Sequence, residues 1–173
     1  MRNDFYWIAG PWVGRLAIIP RPRGGDWLED EIRHWQQSGL DVVISLLTPN
    51  EEADLDLNNE KKLCLKYGMQ FYFFPISDRG TPSSLKETMI LLKKLEKALE
   101  EGKTVAVHCR QGIGRSAMIA ASLLIASGID VEDAFHAISE ARGYAVPDTV
   151  QQREWAKKLG TVLASEYSMA VIE

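Results

Sequence analysis

The chain has 173 residues, 46% of them hydrophobic, which is enough apolar material for a packed core. Its formal net charge is −4, and this argues against a broad basic face for nucleic acid or for an anionic membrane surface. The sequence shows no apolar run of transmembrane length, no signal peptide, no repeat and no linker. We therefore expect one monomeric domain over residues 1–173, with its core at about 5–163, that binds neither nucleic acid nor a membrane.

Only two cysteines occur, Cys64 and Cys109, so the sequence offers no disulfide framework. A free reactive thiol stays reduced in the cytoplasm, where we expect to find the protein. No metal-binding cluster is visible, and we expect neither a metal nor a cofactor. Cys64 is interpreted as a buried apolar cysteine, with a protective disulfide to Cys109 as the alternative.

The N-terminal part of the chain predicts a hairpin, a helix and a strand. Two β-type runs, 5–9 and 12–19, are separated by a Gly-Pro turn. Asp26 is predicted to cap a helix with Glu29 at its third position, and Gly39 ends that helix. The apolar run 40–47 is typical of a buried strand.

The segment 48–51 matches a capping box with Pro49 at the first helical position. It opens an acidic stretch that contains Glu51, Glu52, Asp54 and Asp56. We interpret these carboxylates as a helix start suited to the dipole and as a solvated acidic face, rather than as catalytic pairs. A second helix is predicted near 59–67.

A strand at 69–74 leads into the loop 75–82. In that loop, Asp78 is the only carboxylate between Glu60 and Glu87. Loops at strand ends are where α/β proteins place their chemistry, and a carboxylic acid positioned there can protonate a leaving oxygen. Asp78 is therefore our candidate general acid, and the alternative is an ordinary turn residue.

The second half of the chain predicts four helices and one strand. These are a helix capped by Ser84 and ended by Gly102, a strand at 104–107, a helix at 117–126, a helix at 131–142 capped by Asp130, and a last helix that starts near 150 and frays after Leu163.

The loop between the strand at 104–107 and the helix that follows it predicts an anion site. The first backbone N–H groups of a helix lack partners and lie at the positive end of its dipole. Gly112 and Gly114 allow successive N–H groups of the loop to converge. Cys109 opens this loop and Arg115 closes it.

The residue types in this loop suit phosphoryl transfer. A helix N-terminus and a neighbouring cation favour the thiolate form of Cys109, which is the nucleophilic form. Arg115 offers a planar fork to two phosphate oxygens, and Arg110 adds a second positive charge. The loop lacks the Gly-Lys-Ser/Thr ending of a Walker A motif.

Two motifs carry a family resemblance. The sequence HCRQGIGRS at 108–116 resembles the signature of the cysteine-dependent protein tyrosine phosphatase superfamily. The sequence FPISDRGTP at 74–82 resembles the general-acid loop of small dual-specificity phosphatases similar to the kinase-associated phosphatase. The likeness extends over about Trp12 to Leu159. It implies a single α/β domain in which helices flank a central, mainly parallel, twisted sheet.

The resemblance also implies the roles of the site residues. Cys109 would attack phosphorus, Asp78 would protonate the leaving oxygen, and Ser116 would steady the departing thiolate. His108 would favour the thiolate through hydrogen bonding without contacting the substrate. The phosphate oxygens would be held by the loop residues Arg110, Gln111, Gly112, Ile113, Gly114 and Arg115. A polar side chain that positions water is often found near Gln151 or Gln152, although a helix-capping glutamine is the preferred interpretation.

The expected function is hydrolysis of phosphate monoesters through a phosphocysteine, with inorganic phosphate as product. The phosphotyrosine-gripping insert of larger relatives is not recognisable, which favours phosphoserine and phosphothreonine as well as phosphotyrosine in proteins. A small phosphate ester or an inositol phosphate is the alternative substrate, although the loop lacks lysines. Arg79 stands where the nearest subgroup often has glycine, and its charge would favour acidic or multiply phosphorylated substrates.

Two other classes compete with this hypothesis. A phosphopeptide-binding module would use the same loop but would lack the Cys, the Arg or the Asp. A sulfur-transfer or arsenate-reducing enzyme also uses a loop cysteine, but it would not explain Asp78.

Overall fold

One five-stranded sheet organises the chain, in the order β1-β2-β5-β3-β4. The structure is a computed structural model and describes residues 4–172. The strands are β1 (Tyr6–Ile8), β2 (Arg15–Ile18), β3 (Val42–Ser45), β4 (Gln70–Phe73) and β5 (Thr104–His108). The helices are α1 (Leu28–Gln37), α2 (Pro49–Asp54), α3 (Glu60–Lys66), α4 (Leu85–Glu100), α5 (Arg115–Ala126), α6 (Val131–Arg142) and α7 (Val150–Ile172).

Strand β5 occupies the centre of the sheet, between β2 and β3. It is parallel to both neighbours, with Val105 opposite Leu16 in β2 and Val42 in β3. Strand β4 is parallel to β3, and only the edge strand β1 is antiparallel to its neighbour. The predicted hairpin and the predicted mainly parallel sheet are therefore confirmed.

Helices cover both faces of the sheet, which explains why its three central strands are buried along almost their whole length. We call the face covered by α4, α5, α6 and α7 the first face, and its core includes Leu95, Phe135 and Leu159. The face covered by α1 and α3 is the second face, and its core includes Trp35 and Cys64. None of the helices between residues 4 and 172 combines the length and the apolar character that crossing a bilayer requires.

The predicted cap of the first helix is wrong. A 3-10 turn, Gly25–Trp27, precedes α1, and the Asp26 side chain makes no capping hydrogen bond there. Instead, the Trp27 N–H bonds the Gly24 carbonyl, as in the tight turns that often open helices. The predicted apolar stripe is confirmed, because Leu28, Ile32 and Trp35 are buried.

The predicted fraying after Leu163 is also wrong, because α7 continues as far as Ile172. Tyr167 is 74% exposed in this part of the helix, so packing alone does not account for it. The residues after Leu163 contain neither proline nor glycine, and alanine and glutamate among them favour helix.

Replacing Leu95 by alanine tests the packing of the first face. Leu95 is fully buried on α4, so Leu95→Ala should destabilise the protein by about 2–5 kcal/mol through lost burial and a residual cavity. Urea unfolding followed by circular dichroism measures this. Ile90→Ala on the same helix is the control, because Ile90 is 48% exposed. Equal losses for the two variants would contradict the assigned core.

Candidate active site

The loop between β5 and α5 carries the sequence-predicted nucleophile and closes on the predicted arginine. Helix α5 begins at Arg115 rather than at Ala117, so Arg115 and Ser116 lie in its first turn. Gly112 has a φ of +72°, a conformation that favours glycine. Gly114 is required for a different reason, since a Cβ there would lie 3.0 Å from Gln152 and from the Asp148 side chain.

The Cys109 thiol lies at the bottom of a pocket of about 150 Å³. Its side chain is almost completely buried, and the Gly112 N–H donates to Sγ at 3.2 Å. The Gly112 N–H is thus one of the loop amides that were predicted to converge on the anion site. The pocket is lined by Asp78, Arg79, Cys109, Arg110, Gln111, Ile113, Gly114, Arg115 and Asp148. All the loop residues predicted to bind phosphate line this pocket except Gly112, which contacts the sulfur through its N–H.

The Arg115 guanidinium is buried and held by several acceptors. Nη1 donates to Glu51 Oε1 at 2.7 Å and to the Ile76 carbonyl at 2.9 Å. Nη2 donates to Glu51 Oε2 at 2.9 Å and lies 3.4 Å from Asp78 Oδ1. The edge of the guanidinium formed by Nη1 and Nη2 is therefore occupied by Glu51. In the part of the chain that the structure describes, Nε makes no hydrogen bond, and the Nε–Nη2 edge of the guanidinium faces Asp78, which accepts from Nη2.

Glu51 corrects the interpretation of the acidic stretch as a solvated face. Its carboxylate does complete the capping box, because Oε1 accepts the Thr48 N–H at 3.1 Å. The same carboxylate also pairs with Arg115, and the hydrogen bond from Arg115 lowers the pKa of Glu51 despite its partial burial. Asp54 and Asp56 are exposed, as predicted.

The electrostatics of Arg115 follow from the same pair. Burial alone would lower the pKa of the Arg115 guanidinium, but the hydrogen bonds to Glu51 and the charges of Cys109, Glu51 and Asp78 raise it overall. Arg115 is therefore a permanent cation next to the thiol. Glu52 behaves differently from its neighbour, because burial raises the pKa of its carboxyl.

Asp78 lies over the pocket on the loop that follows β4. Its side chain is 68% exposed, and its nearest cation is Arg115. The loop turns tightly here, because the Gly80 N–H donates to the Ser77 carbonyl at 2.8 Å and Arg79 has a φ of +60°. The structure thus brings the predicted acid and the predicted nucleophile, 31 residues apart in sequence, to one pocket.

Gln152 is fully buried and caps the start of α7. Its Oε1 accepts the N–H groups of Asp148 and Thr149 at 3.1 and 3.3 Å, which is the preferred helix-capping interpretation. Its Nε2 also donates to the Gly80 carbonyl at 3.1 Å, a tie to the Asp78 loop that the sequence did not predict. Gln151 is exposed and does not line the pocket.

Arg142 supports the loop from behind and was missed by sequence reasoning. Its Nε donates to the Gly112 carbonyl at 2.8 Å and its Nη2 to the Gln111 carbonyl at 3.3 Å. Its guanidinium stacks 4.0 Å from the Tyr6 ring centroid. An arginine followed by glycine is ordinary at the end of a helix, so this pattern does not indicate a supporting role for Arg142. Asp148 was also missed, because an aspartate in the loop before a helix resembles an ordinary turn residue.

His108 is fully buried and points away from the pocket. Its Nε2 lies 2.5 Å from Glu60 Oε1, and Glu60 is also fully buried. The ring packs against Trp35, which belongs to the second face. His108 therefore does not line the pocket, as expected, and Glu60 is a partner that sequence reasoning missed. Its predicted effect on the thiolate stays a prediction.

The second cysteine, Cys64, lies on the other side of the sheet from Cys109. Cys64 is buried in the second-face core, whereas Cys109 belongs to the first-face core, so the sheet separates the two thiols. Cys64 is fully buried, which confirms the interpretation of a buried apolar cysteine, and burial raises the pKa of its thiol. Ser116 is fully buried, and within residues 4–172 its hydroxyl has no hydrogen-bond partner.

Among the same residues, no group of three or more His, Cys, Asp or Glu could hold a metal ion.

Glu51→Gln tests the buried ion pair and its pH dependence. At pH 7 this variant should lose about 1–3 kcal/mol, because a charged hydrogen bond to a buried guanidinium is weakened. Since Arg115 lowers the pKa of Glu51, the stabilisation exists above the ordinary glutamate pKa and is lost as the pH falls through the lowered value. The stability difference from wild type should therefore shrink below about pH 4.3.

Urea unfolding at a series of pH values measures this difference. Asp54→Asn, an exposed acid on the same helix, is the control and should change little. A difference that is constant between about pH 7 and about pH 3 would contradict the pairing.

Comparisons with known proteins agree with this geometry. A family model described as "Tc-R-P: Polymorphic toxin system, DSP-PTPase phosphatase" matches residues 19–129, which include Asp78 and the whole loop from Cys109 to Arg115. Rat cyclin-dependent kinase inhibitor 3 is 26% identical over 149 residues, which cover 83% of this chain and 70% of that protein. Mouse protein tyrosine phosphatase domain-containing protein 1 is 30% identical over 158 residues, covering 84% of this chain and 20% of that protein.

Solved structures show the same fold. A crystal structure of kinase associated phosphatase, with its catalytic-site cysteine replaced by serine, matches with a TM-score of 0.86 and 21% identity over 95% of this chain and 97% of that chain. Tk-PTP in its active form matches with a TM-score of 0.77 and 27% identity, covering 93% of this chain and 99% of that chain. The family model spans more than half of the chain. The chain therefore belongs to the DSP-PTPase phosphatase family and is a cysteine-dependent protein phosphatase of the dual-specificity class.

Proposed function

We propose that this protein hydrolyses phosphate monoesters on phosphorylated tyrosine, serine and threonine side chains of proteins, with Cys109 as nucleophile and Asp78 as general acid. The observation that carries the proposal is the convergence of Cys109, Arg115 and Asp78 on one pocket. Kinase associated phosphatase, a structure with the same fold, also has a catalytic-site cysteine.

Substrate binding uses the loop and the free edge of Arg115. The phosphate oxygens accept hydrogen bonds from the loop amides at 110–115 and from Nε and Nη2 of Arg115. Glu51 holds the opposite edge of the guanidinium, so the fork is oriented before substrate arrives. The contact between Asp78 and Arg115 is replaced by the phosphate, which leaves Asp78 over the leaving oxygen.

Hydrolysis then takes two steps. The Cys109 thiolate attacks phosphorus, the bond from phosphorus to the leaving oxygen breaks, and Asp78 gives its proton to that oxygen. A phosphocysteine results. In the second step Asp78 takes a proton from water, the water oxygen bonds to phosphorus, and the sulfur–phosphorus bond breaks to release inorganic phosphate. The unpartnered hydroxyl of Ser116 is available to donate a hydrogen bond to the departing thiolate.

The substrate range and setting follow from the same features. The substrate range includes seryl and threonyl phosphates as well as tyrosyl phosphate, because the insert with which larger relatives grip phosphotyrosine is not recognisable in this sequence. A reactive thiol needs a reducing compartment, so we place the protein in the cytoplasm. An inositol phosphate is the less favoured substrate, since the loop from 110 to 114 has no lysine.

Removal of the nucleophile or the acid should have different effects. Cys109→Ser should abolish turnover of para-nitrophenyl phosphate in metal-free buffer while keeping affinity for a phosphotyrosyl peptide, since only the nucleophile is lost. Asp78→Asn should lower kcat by roughly 10²–10⁴ because the leaving oxygen is no longer protonated. Steady-state kinetics and calorimetric binding measure these effects, with Asp54→Asn as the matched control.

Full activity in Cys109→Ser, or turnover of thiosulfate or arsenate in place of the phosphate ester, would overturn the proposal. A protein that binds phosphopeptides but turns over no phosphate ester would be a binding module instead.

The pH dependence gives a separate test. The first step requires ionised Cys109 and protonated Asp78, so kcat/KM should be highest on the acid side of neutrality and fall at higher pH. In Asp78→Asn the fall at higher pH should disappear, because no acid is left to deprotonate. A wild-type rate that is constant from about pH 4.5 to about pH 8 would contradict the assignment of Asp78.

A further inference from the structure

Two arginines at the mouth of the pocket have no part in the chemistry described above. Arg79 follows Asp78 in its loop, and Arg110 follows Cys109. Both line the pocket, and both are exposed to solvent. They follow different strands and lie 31 residues apart in sequence, but both line one opening.

The guanidinium groups of these arginines are available to a ligand. The nearest carboxylate to Arg110 is that of Glu51, with Oε2 at 3.9 Å from Nη1, and this oxygen already accepts from Arg115 at 2.9 Å. In residues 4–172, Arg79 forms neither an ion pair nor a side-chain hydrogen bond, although Asp78 and Asp148 line the same pocket. Arg110 thus has only this long ion pair and Arg79 has no partner among these residues, so both planar, always-charged groups can donate hydrogen bonds to a ligand.

The backbone at Arg79 adds an independent observation. Arg79 and Asp56 are the only residues other than glycine between positions 4 and 172 that have a positive φ, at +60° and +54°. A large side chain is strained in this conformation, whereas glycine adopts it freely. Asp56 is of a residue type that tolerates this region, but Arg79 is not. The turn could be formed by glycine with less strain, so the arginine at this position suggests that its side chain has a function.

We propose that Arg79 and Arg110 form a second anion subsite, and that the preferred substrates are phosphoproteins with a second anionic side chain, carboxylate or phosphate, next to the phosphorylated residue. This rests on the proposed function, because the first phosphate occupies the loop. Carboxylates and phosphates are the groups that a guanidinium binds in bidentate fashion. The nearby carboxylates of Asp78 and Asp148 make the mouth mixed in charge, so recognition depends on these directed hydrogen bonds rather than on a broad positive field.

Peptide kinetics test this subsite. The substrates are phosphopeptides of one sequence in which the residues flanking the phosphorylated one are neutral, acidic or phosphorylated. Wild type should prefer the acidic and doubly phosphorylated peptides by roughly tenfold in kcat/KM, and added salt should reduce this ratio. Arg79→Gly should bring the ratio to within about twofold of one, and Arg79→Lys should retain part of it, since lysine keeps the charge without the fork.

Asp56→Gly is the matched control, because it also places glycine at a strained position but changes no charge in the pocket. It should keep the wild-type ratio. Arg79→Gly relieves backbone strain, so its melting temperature should equal or exceed that of wild type. A loss of the ratio therefore cannot be ascribed to unfolding.

The outcomes separate the two proposals. If wild type turns over para-nitrophenyl phosphate but shows the same kcat/KM for all peptides, or if Arg79→Gly keeps the wild-type ratio, the subsite is wrong and the phosphatase proposal stands. If no phosphate ester is turned over, the phosphatase proposal fails, and calorimetric binding of the same peptides still decides the subsite. Faster turnover of an inositol bisphosphate than of any peptide would overturn the assignment to phosphoproteins.

Discussion

The ion pair between Glu51 and Arg115 is the contact on which the geometry of the pocket depends. It joins the first turn of α2 to the first turn of α5, with both oxygens of Glu51 on both terminal nitrogens of Arg115. A buried guanidinium without a charged partner is unfavourable, so Glu51 stabilises Arg115 in this position together with the Ile76 carbonyl. The pair also decides which edge of the guanidinium remains available, and hence the direction from which an oxyanion can be bound. Orientation in advance is the main advantage of such a site, because no reorganisation is needed as charge develops.

The rest of the pocket is held by side chains from elements outside the loop. Arg142 of α6 donates hydrogen bonds to the carbonyls of residues 111 and 112. Because the C=O and N–H of a trans peptide point in opposite directions, the N–H groups that follow these carbonyls point away from Arg142. Gln152 of α7 binds the Gly80 carbonyl, and so connects the start of the last helix to the loop that carries the acid. Glu60 of α3 binds His108 at the point where β5 ends. Three helices on the two faces of the sheet therefore fix the catalytic loop and the acid loop relative to each other.

The sequence predicted what is local and missed what is distant. The strand–loop–helix unit at 104–126, the box at Thr48–Glu51 and the general position of Asp78 depend on neighbouring residues, and the structure has all three. The partners of Arg115, His108 and Arg142 are 64, 48 and 30 residues away, and nothing in a single sequence links such residues. Glu51 was misjudged for this reason, since its local role as a cap was sufficient to explain it. The prediction for Asp26 failed for the opposite reason. Its sequence matches a helix cap, but the 3-10 turn at Gly25–Trp27 takes the place of that cap.

The position of the two cysteines on opposite faces of the sheet determines how the nucleophile can recover from peroxide. A sulfenic acid formed on Cys109 needs either a second thiol or a main-chain nitrogen with which to condense. Cys64, the one other cysteine among residues 4–172, belongs to the core on the opposite face, so it is badly placed to act as a resolving cysteine. A sulfenic acid on Cys109 would then condense with a thiol of another molecule, or with a main-chain nitrogen of the loop to give a cyclic sulfenamide.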